Sequence, residues 1–289
     1  MSIQTKEYSI NGLLIPVLDG GNTDSDEAIV FIHGFPGAAN DWRPFLEALS
    51  PYSRVIALTM PGFGGADKPN DFDYSVENYV PVISSLLSGL DVEKVHLVMH
   101  DFGGAWGMNW AAQNIDKMKS FTLINTGLFL EEWHSLAKIF RTPIIGELFS
   151  LLPPYQPAFN SMISCNGANK LNDEQLIELK SQMDYGTRRA MMKLYRNTDA
   201  RDQNHYNIAD QFYEKDFPAM VIWGEDDPYL PSNLASKQLK AFPHAEIHML
   251  KDCGHWPFLE QKTKVQNLLL KFFLDFFEET HAKVVPINN

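Results

Sequence analysis

The sequence predicts an α/β fold: a mostly parallel sheet covered by helices on both faces, with a block of helices inserted after the sixth strand. Three observations carry this. Short, nearly continuous apolar runs rich in β-branched residues alternate with stretches of helical period, as expected of strands buried on both faces and joined by crossover helices. The alternation stops between about Gly127 and Asp216, where the chain shows only helical stretches broken by prolines. The apolar run 92–99 breaks abruptly into His100-Asp101-Phe102-Gly103-Gly104, a layout suited to a tight strand-to-helix turn.

In chain order, residues 7–10 and 13–17 read as two short strands around Asn11-Gly12, a pair suited to a hairpin turn. A polar loop at 20–26 follows. Residues 28–32 and 54–59 read as buried strands with a helix at 41–49 between them. A helix at 76–90 leads to the strand 94–99, the turn at Asp101 and a helical pattern from Ala105 onward. Residues 120–125 form the sixth strand. Pro143, Pro153-Pro154 and Pro157 interrupt the helices that follow. The alternation resumes with a strand at 219–223, a helix from Ser232, a strand at 246–250 and a terminal helix over 265–277. That last stretch contains Lys271 and Asp275 and is too short to span a bilayer. The expected organisation is a core of residues 1–127 and 216–289 with a helical lid at 128–215, lying over the carboxyl ends of the strands where ligands bind in open α/β sheets. There is no internal repeat and no low-complexity segment.

Composition narrows the functional classes. The 289 residues are 45% hydrophobic and 21% charged, enough for a large core and an insertion. A net charge of −12 argues against nucleic acid and anionic membrane surfaces, because neutralising phosphates takes a basic face. Only Cys165 and Cys253 are present, so there is neither a disulfide framework nor a metal-type cysteine spacing, and a cytoplasmic setting is expected. The amino-terminal residues lack a basic start followed by an apolar core, so no signal peptide is expected. None of the nine histidines has metal-ligand spacing. No metal and no cofactor are expected.

Four loops follow strand ends, and each carries apt chemistry. The turn after 94–99 supplies Asp101, which would sit at the apex of a nucleophile elbow, with Gly103 and Gly104 where a Cβ would clash. Gly224-Glu225-Asp226-Asp227-Pro228 supplies an acid, and Asp252-Cys253-Gly254-His255-Trp256 a base. His33-Gly34-Phe35-Pro36-Gly37 follows the third strand. A carboxylate at the apex attacks carbon directly and becomes an alkyl ester of the protein. A histidine held in one tautomer by an acid draws a proton from water. The backbone N–H groups of Phe35 and Phe102 would then hold the oxyanion formed when that water attacks the ester. His100 and His33 read as structural partners of their turns, and Asp226 as a solvated or capping carboxylate.

With these residues in place, the chain resembles the α/β-hydrolase superfamily over essentially its whole length. Within it the chain resembles the branch with an aspartate nucleophile, the epoxide hydrolases and haloalkane dehalogenases. The loop 224–228 is similar to the family's acid loop, whose acid lies three residues after the glycine, which implies Asp227 rather than Asp226. Gly254-His255-Trp256-Pro257 resembles its histidine loop, and Pro61-Gly62-Phe63-Gly64 the turn after the preceding strand.

The resemblance also bears on the electrophile. Epoxide hydrolases open the ring with lid tyrosines, one of them in a Tyr-Arg-Asn motif, and Leu194-Tyr195-Arg196-Asn197 matches it. A phenol of pKa about 10 suits donation to a developing alkoxide. For the second tyrosine, Tyr155 in Pro154-Tyr155-Gln156-Pro157 is favoured over Tyr185 and Tyr206. Haloalkane dehalogenases bind the halide with a Trp after the nucleophile, plus an Asn in the His-Gly loop or a second Trp in the lid. Here the first two positions are Phe102 and Phe35, and the long insertion has only Trp133 near its start. Fluoroacetate dehalogenases carry Arg after the nucleophile, against which Phe102 argues. The chain departs from epoxide hydrolases at Met99 and Phe102, where they have Gly and Trp, and Met99 looks more like a dehalogenase elbow. The expected function is hydrolysis of epoxides to vicinal diols on a small hydrophobic substrate, with water as co-substrate. A haloalkane dehalogenase-like hydrolase and a catalytically silent receptor for a hydrophobic ligand are the alternatives.

Overall fold

The computed structural model describes residues 2–129, 133–152, 171–199 and 204–284. Tyr155 lies outside the described residues. The eight strands expected from the sequence are all present: β1 (Gln4–Ile10), β2 (Leu13–Gly20), β3 (Glu27–Ile32), β4 (Arg54–Leu58), β5 (Lys94–His100), β6 (Met118–Ile124), β7 (Ala219–Gly224) and β8 (Glu246–Leu250). They form one sheet in the order β1-β2-β4-β3-β5-β6-β7-β8. The β1–β2 and β2–β4 pairs are antiparallel and all later pairs are parallel. β1 and β2 meet at Asn11-Gly12, both at positive φ, as a two-residue turn with the twist of its strands requires.

β3, β5 and β6 lie in the middle of the sheet and are buried almost throughout, which accounts for their unbroken apolar runs. Helices cover both faces: α1 (Arg43–Leu49), α2 (Val76–Gly89) and α3 (Phe102–Gln113) between the early strands. α3 begins three residues earlier than its apolar pattern suggested. The glycines at 103 and 104 carry no periodic signal, yet they are already helical.

Between β6 and β7 the described residues form five helices: α4 (Ser135–Arg141), α5 (Ile145–Ser150), α6 (Asp173–Ser181), α7 (Tyr185–Asn197) and α8 (Asn204–Lys215). α7 is fixed along one stripe. Arg189 donates to the Lys68 carbonyl, Lys193 to that of Asn70 and Asn197 to that of Asp73. This i, i+4, i+8 spacing leaves Tyr195 on the opposite face. Arg196 forks onto both carboxylate oxygens of Glu147 in α5. Tyr195, Arg196 and Asn197 thus face, respectively, the site, a neighbouring helix and the sheet-side loop. α8 packs on the sheet itself through Phe212, which meets Phe121 of β6 and Phe242. The chain ends in α9 (Leu234–Lys237), α10 (Pro257–Glu260) and α11 (Lys262–Val284). Among the described residues no helix is long and apolar enough to cross a membrane.

Candidate active site

Asp101 stands between β5 and α3 with φ 49° and ψ −124°, a conformation that non-glycine residues rarely adopt and that only a packed surround can hold. The surround is visible. A Cβ on Gly103 would lie 2.4 Å from the Ile32 carbonyl oxygen, and one on Gly104 2.0 Å from Thr126 Oγ1. Thr126 itself donates to the Asp101 carbonyl. The turn is therefore wedged between β3 and the end of β6, and the carboxylate projects above the sheet.

Its two oxygens have different partners. Oδ1 accepts from the Phe35 amide at 2.8 Å, while Oδ2 faces His255 Nε2 at 3.6 Å. The Phe102 amide is the first of α3, where helix geometry provides no intrahelical acceptor. Of the two amides expected to cradle an oxyanion, that of Phe35 already touches this carboxylate, and that of Phe102 belongs to the next residue in the chain, at the start of α3.

His255 Nδ1 lies 2.8 Å from Asp227 Oδ2, so the acid three residues after Gly224 is the one that meets the base. Asp226 is exposed, its amide held by the Cys253 carbonyl. Asp227 is saturated with donors. Oδ1 accepts from the amides of Tyr229 and Leu230 at 2.8 and 3.0 Å, and Oδ2 from Asn125 Nδ2 as well as from the histidine. Asn125, at the end of β6, also accepts from the Gly224 amide at 3.0 Å. Sequence reasoning missed it. The available signal was a polar residue ending an apolar strand, the same signal that marked Asp101. The His255 loop is further clamped by Glu260, whose carboxylate accepts from the amides on either side, Gly254 and Trp256.

The electrostatics follow from this packing. Burial opposes a charge on His255, yet Asp227, with Asp101 beside it, holds its pKa well above the usual imidazole range, at about 10. Burial likewise opposes ionisation of Asp101, and the hydrogen bond and charge of His255 overcome it and lower its pKa. His100 donates from Nε2 to the His255 carbonyl at 2.8 Å, and burial, then the charge of His255, lowers its pKa to about 3. His33 accepts from the Met60 amide at Nε2 and donates from Nδ1 to the Gly34 carbonyl; burial takes it to about 4. Both are neutral braces of their loops, as their positions suggested.

Above these groups lies a mostly apolar pocket. Tyr195 lines it together with Asp101, His255 and Phe35, and is buried, its ring edge-on to Phe102 at 5.0 Å. Burial, then the nearby Asp101 carboxylate, pushes its phenol pKa well up. Tyr185 and Tyr206 are half exposed and do not line this pocket. Trp133, His134, Tyr229 and Trp256 do, none of which the sequence marked as a site residue. Trp133 and His134 lie just before α4, Tyr229 follows the acid loop and Trp256 sits in the histidine loop, so only the folded chain brings the four together.

Known proteins resemble this chain in sequence and in fold. It is 27% identical over 286 residues to a cis-3-alkyl-4-alkyloxetan-2-one decarboxylase of Shewanella oneidensis, covering 93% of this chain and 88% of that one. It is 22% identical over 299 residues to a 2-hydroxy-6-oxononadienedioate/2-hydroxy-6-oxononatrienedioate hydrolase of Escherichia coli, covering 94% and 99%. The structure of the haloalkane dehalogenase DatA from Agrobacterium tumefaciens superposes with a TM-score of 0.81 at 20% identity, covering 95% of this chain and 97% of the other. At that identity the likeness is one of fold. The profile of the alpha/beta hydrolase family matches residues 29–265, the whole span from β3 to the start of α11, and the chain belongs to that family.

Proposed function

We propose that this protein is a hydrolase that opens epoxides to vicinal diols through a covalent ester on Asp101. The observation that carries the reading is the asymmetric environment of one carboxylate. Oδ1 is held by the Phe35 amide, Oδ2 faces His255, and the residue lines the pocket that also holds Tyr195. In the resting site Asp101 and Asp227 are ionised and His255 is an imidazolium. Oδ2 attacks a ring carbon, the C–O bond breaks, and Tyr195 gives its proton to the departing oxygen. Oδ1 becomes the ester carbonyl oxygen, already at the Phe35 amide.

Ester formation removes the negative charge of Asp101 from beside His255, so the imidazolium becomes more acidic. Its proton returns to the Tyr195 phenolate through solvent, leaving both neutral. His255 then takes a proton from water, and the hydroxide attacks the ester carbonyl. The charge gathers on Oδ1 at the Phe35 and Phe102 amides. Collapse releases the diol and restores the starting protonation. The relative from Shewanella is named for an oxetan-2-one, also a strained ring with a breakable C–O bond, which supports a strained oxygen heterocycle as the substrate class.

One observation favours a second reading. Trp133 and Trp256 both line the pocket, and the buried Trp256 Nε1 has no hydrogen-bond partner among the described residues. An indole N–H is the kind of donor a departing halide needs, so two pocket tryptophans make haloalkanes the competing substrates. A panel of epoxides, haloalkanes and activated esters, scored for diol, halide and acid, separates the two. The mechanism itself is tested in His255→Gln with styrene oxide. Attack on carbon needs no base and hydrolysis does, so the variant is expected to accumulate protein heavier by one substrate, with the added mass on the peptide containing Asp101. Turnover by the native enzyme with no trapped ester in the variant would refute the covalent route.

A further inference from the structure

In the proposed reaction Tyr195 must present its proton to the substrate, yet a phenol hydroxyl rotates and any nearby acceptor could take that proton. His134 decides the matter. It stands just before α4 and caps it, Nδ1 accepting from the Ala137 amide at 3.2 Å. An amide nitrogen only donates, so Nδ1 carries the lone pair and the single ring proton resides on Nε2. Nε2 lies 3.3 Å from Tyr195 Oη, and the two rings meet edge-on, 5.9 Å between centroids and 85° between planes. Burial lowers the His134 pKa to about 4, which keeps the ring neutral around pH 7. Faced by an N–H, the phenol oxygen is an acceptor on that side. Its own proton must point elsewhere, into the pocket it shares with Asp101.

We propose that His134 is a positioning residue: its helix-capping contact locks the Nε2–H tautomer, and that N–H donates to Tyr195 Oη, directing the phenol proton at the substrate oxygen and stabilising the phenolate left after transfer. The proposal rests on the epoxide-opening reading. In that step the bond from Asp101 Oδ2 to carbon forms and the ring C–O bond breaks. The Tyr195 proton moves to the ring oxygen, and the negative charge rests on Oη beneath Nε2–H. His134 neither gains nor loses a proton. Its N–H matters most when Oη is charged, since hydrogen bonds to charged groups are the stronger ones, so it lowers the barrier rather than merely binding the resting phenol.

A double-mutant cycle on the rate of Asp101 alkylation by styrene oxide tests this. Asn is a good helix cap, so His134→Asn keeps α4 capped while its shorter side chain stops short of Oη. His134→Asn is expected to slow alkylation about tenfold when Tyr195 is present, as for a lost hydrogen bond to a charged group, and to add nothing in Tyr195→Phe. Equal slowing in both backgrounds would mean that His134 only shapes the pocket and would overturn the proposal. A readout that needs no turnover is the ¹⁵N spectrum of histidine-labelled protein at pH 7. His134 is expected to show a bare Nδ1 and a protonated Nε2 whose N–H resonance moves in Tyr195→Phe. A protonated Nδ1, or an Nε2–H indifferent to Tyr195→Phe, would also overturn it. If the spectra hold while the native enzyme opens no epoxide, the epoxide reading fails and the His134–Tyr195 contact stands.

Discussion

At the scale of single residues, the choice between two adjacent carboxylates is decided by hydrogen-bond saturation. Asp227 accepts four hydrogen bonds, one of them from His255 Nδ1, whereas Asp226 is exposed. Asp227→Asn would set an amide N–H₂ against Asn125 or the histidine, force the wrong imidazole tautomer and remove the charge that supports an imidazolium. Turnover is expected to fall by orders of magnitude, up to about 10⁴-fold as for a lost orienting carboxylate in a related triad. Asp226→Asn should leave it within about twofold, because surface substitutions seldom propagate. Steady-state kinetics on the two folded variants check the ranking, and the reverse order would reassign the acid. Asp101, Asp227 and His255 were legible because each follows an apolar strand with glycines close by in the loop. Asn125 ends a strand too, but an amide has no nucleophilic or basic chemistry to single it out. His134 and Tyr229 gave no sequence signal, since their roles depend on contacts 61 residues away in one case and on a ring packed edge-on to His255 in the other.

At the scale of elements, the site depends on how closely β3, β5, β6 and α3 approach one another at the Asp101 turn. The strands could be read from buried apolar runs, but the start of α3 could not, because its first turn contains glycines chosen for clearance rather than helix propensity. Those glycines are not equivalent. The atoms a Cβ would meet at Gly103 are all backbone, the Ile32 and His33 carbonyls, whereas at Gly104 they belong to the Thr126 side chain. A side chain can rotate away, at the loss of its hydrogen bond to the Asp101 carbonyl; a strand carbonyl in a sheet cannot. Gly103→Ala is therefore expected to destabilise the fold by about 1–3 kcal/mol or more, as overpacking does, and by more than Gly104→Ala. Urea unfolding of the two variants at one pH measures the difference. Equal stability of Gly103→Ala and the native protein would contradict the wedged turn.

At the scale of the whole molecule, the buried ionisable groups set opposite limits on stability in acid and in alkali. His33, His100 and His134 have folded pKa values of about 4, 3 and 4, lowered chiefly by burial, against about 6.5 when unfolded. Below pH 6.5 the unfolded chain therefore binds protons that the folded one does not, and stability falls as the pH drops toward 4. Asp41 opposes them: burial raises its pKa to about 7, so between pH 4 and 7 the folded state holds the extra proton. Burial lowers the His96 pKa as well, so the histidines outweigh Asp41 and unfolding near pH 5 takes up at least about two protons, a slope of roughly 3 kcal/mol per pH unit or more. On the alkaline side the sign reverses. The pKa of His255 is raised by Asp227 and Asp101 against the cost of burial, to about 10, so its contribution is complete below pH 6.5 and is lost as the pH rises through 10. Denaturant unfolding from pH 4.5 to 9 is expected to show a maximum between about pH 6 and 7. His255→Gln should flatten the limb between pH 7.5 and 9, while an acid limb persists because burial is the first cause of the lowered pKa values of His33, His100 and His134. Stability that rises on acidification from pH 6.5 to 4.5 would mean that the three histidines are not held neutral. An alkaline limb unchanged in His255→Gln would mean that the carboxylates flanking it do not hold an imidazolium, and with that the proton needed to reset Tyr195 would have to come from elsewhere.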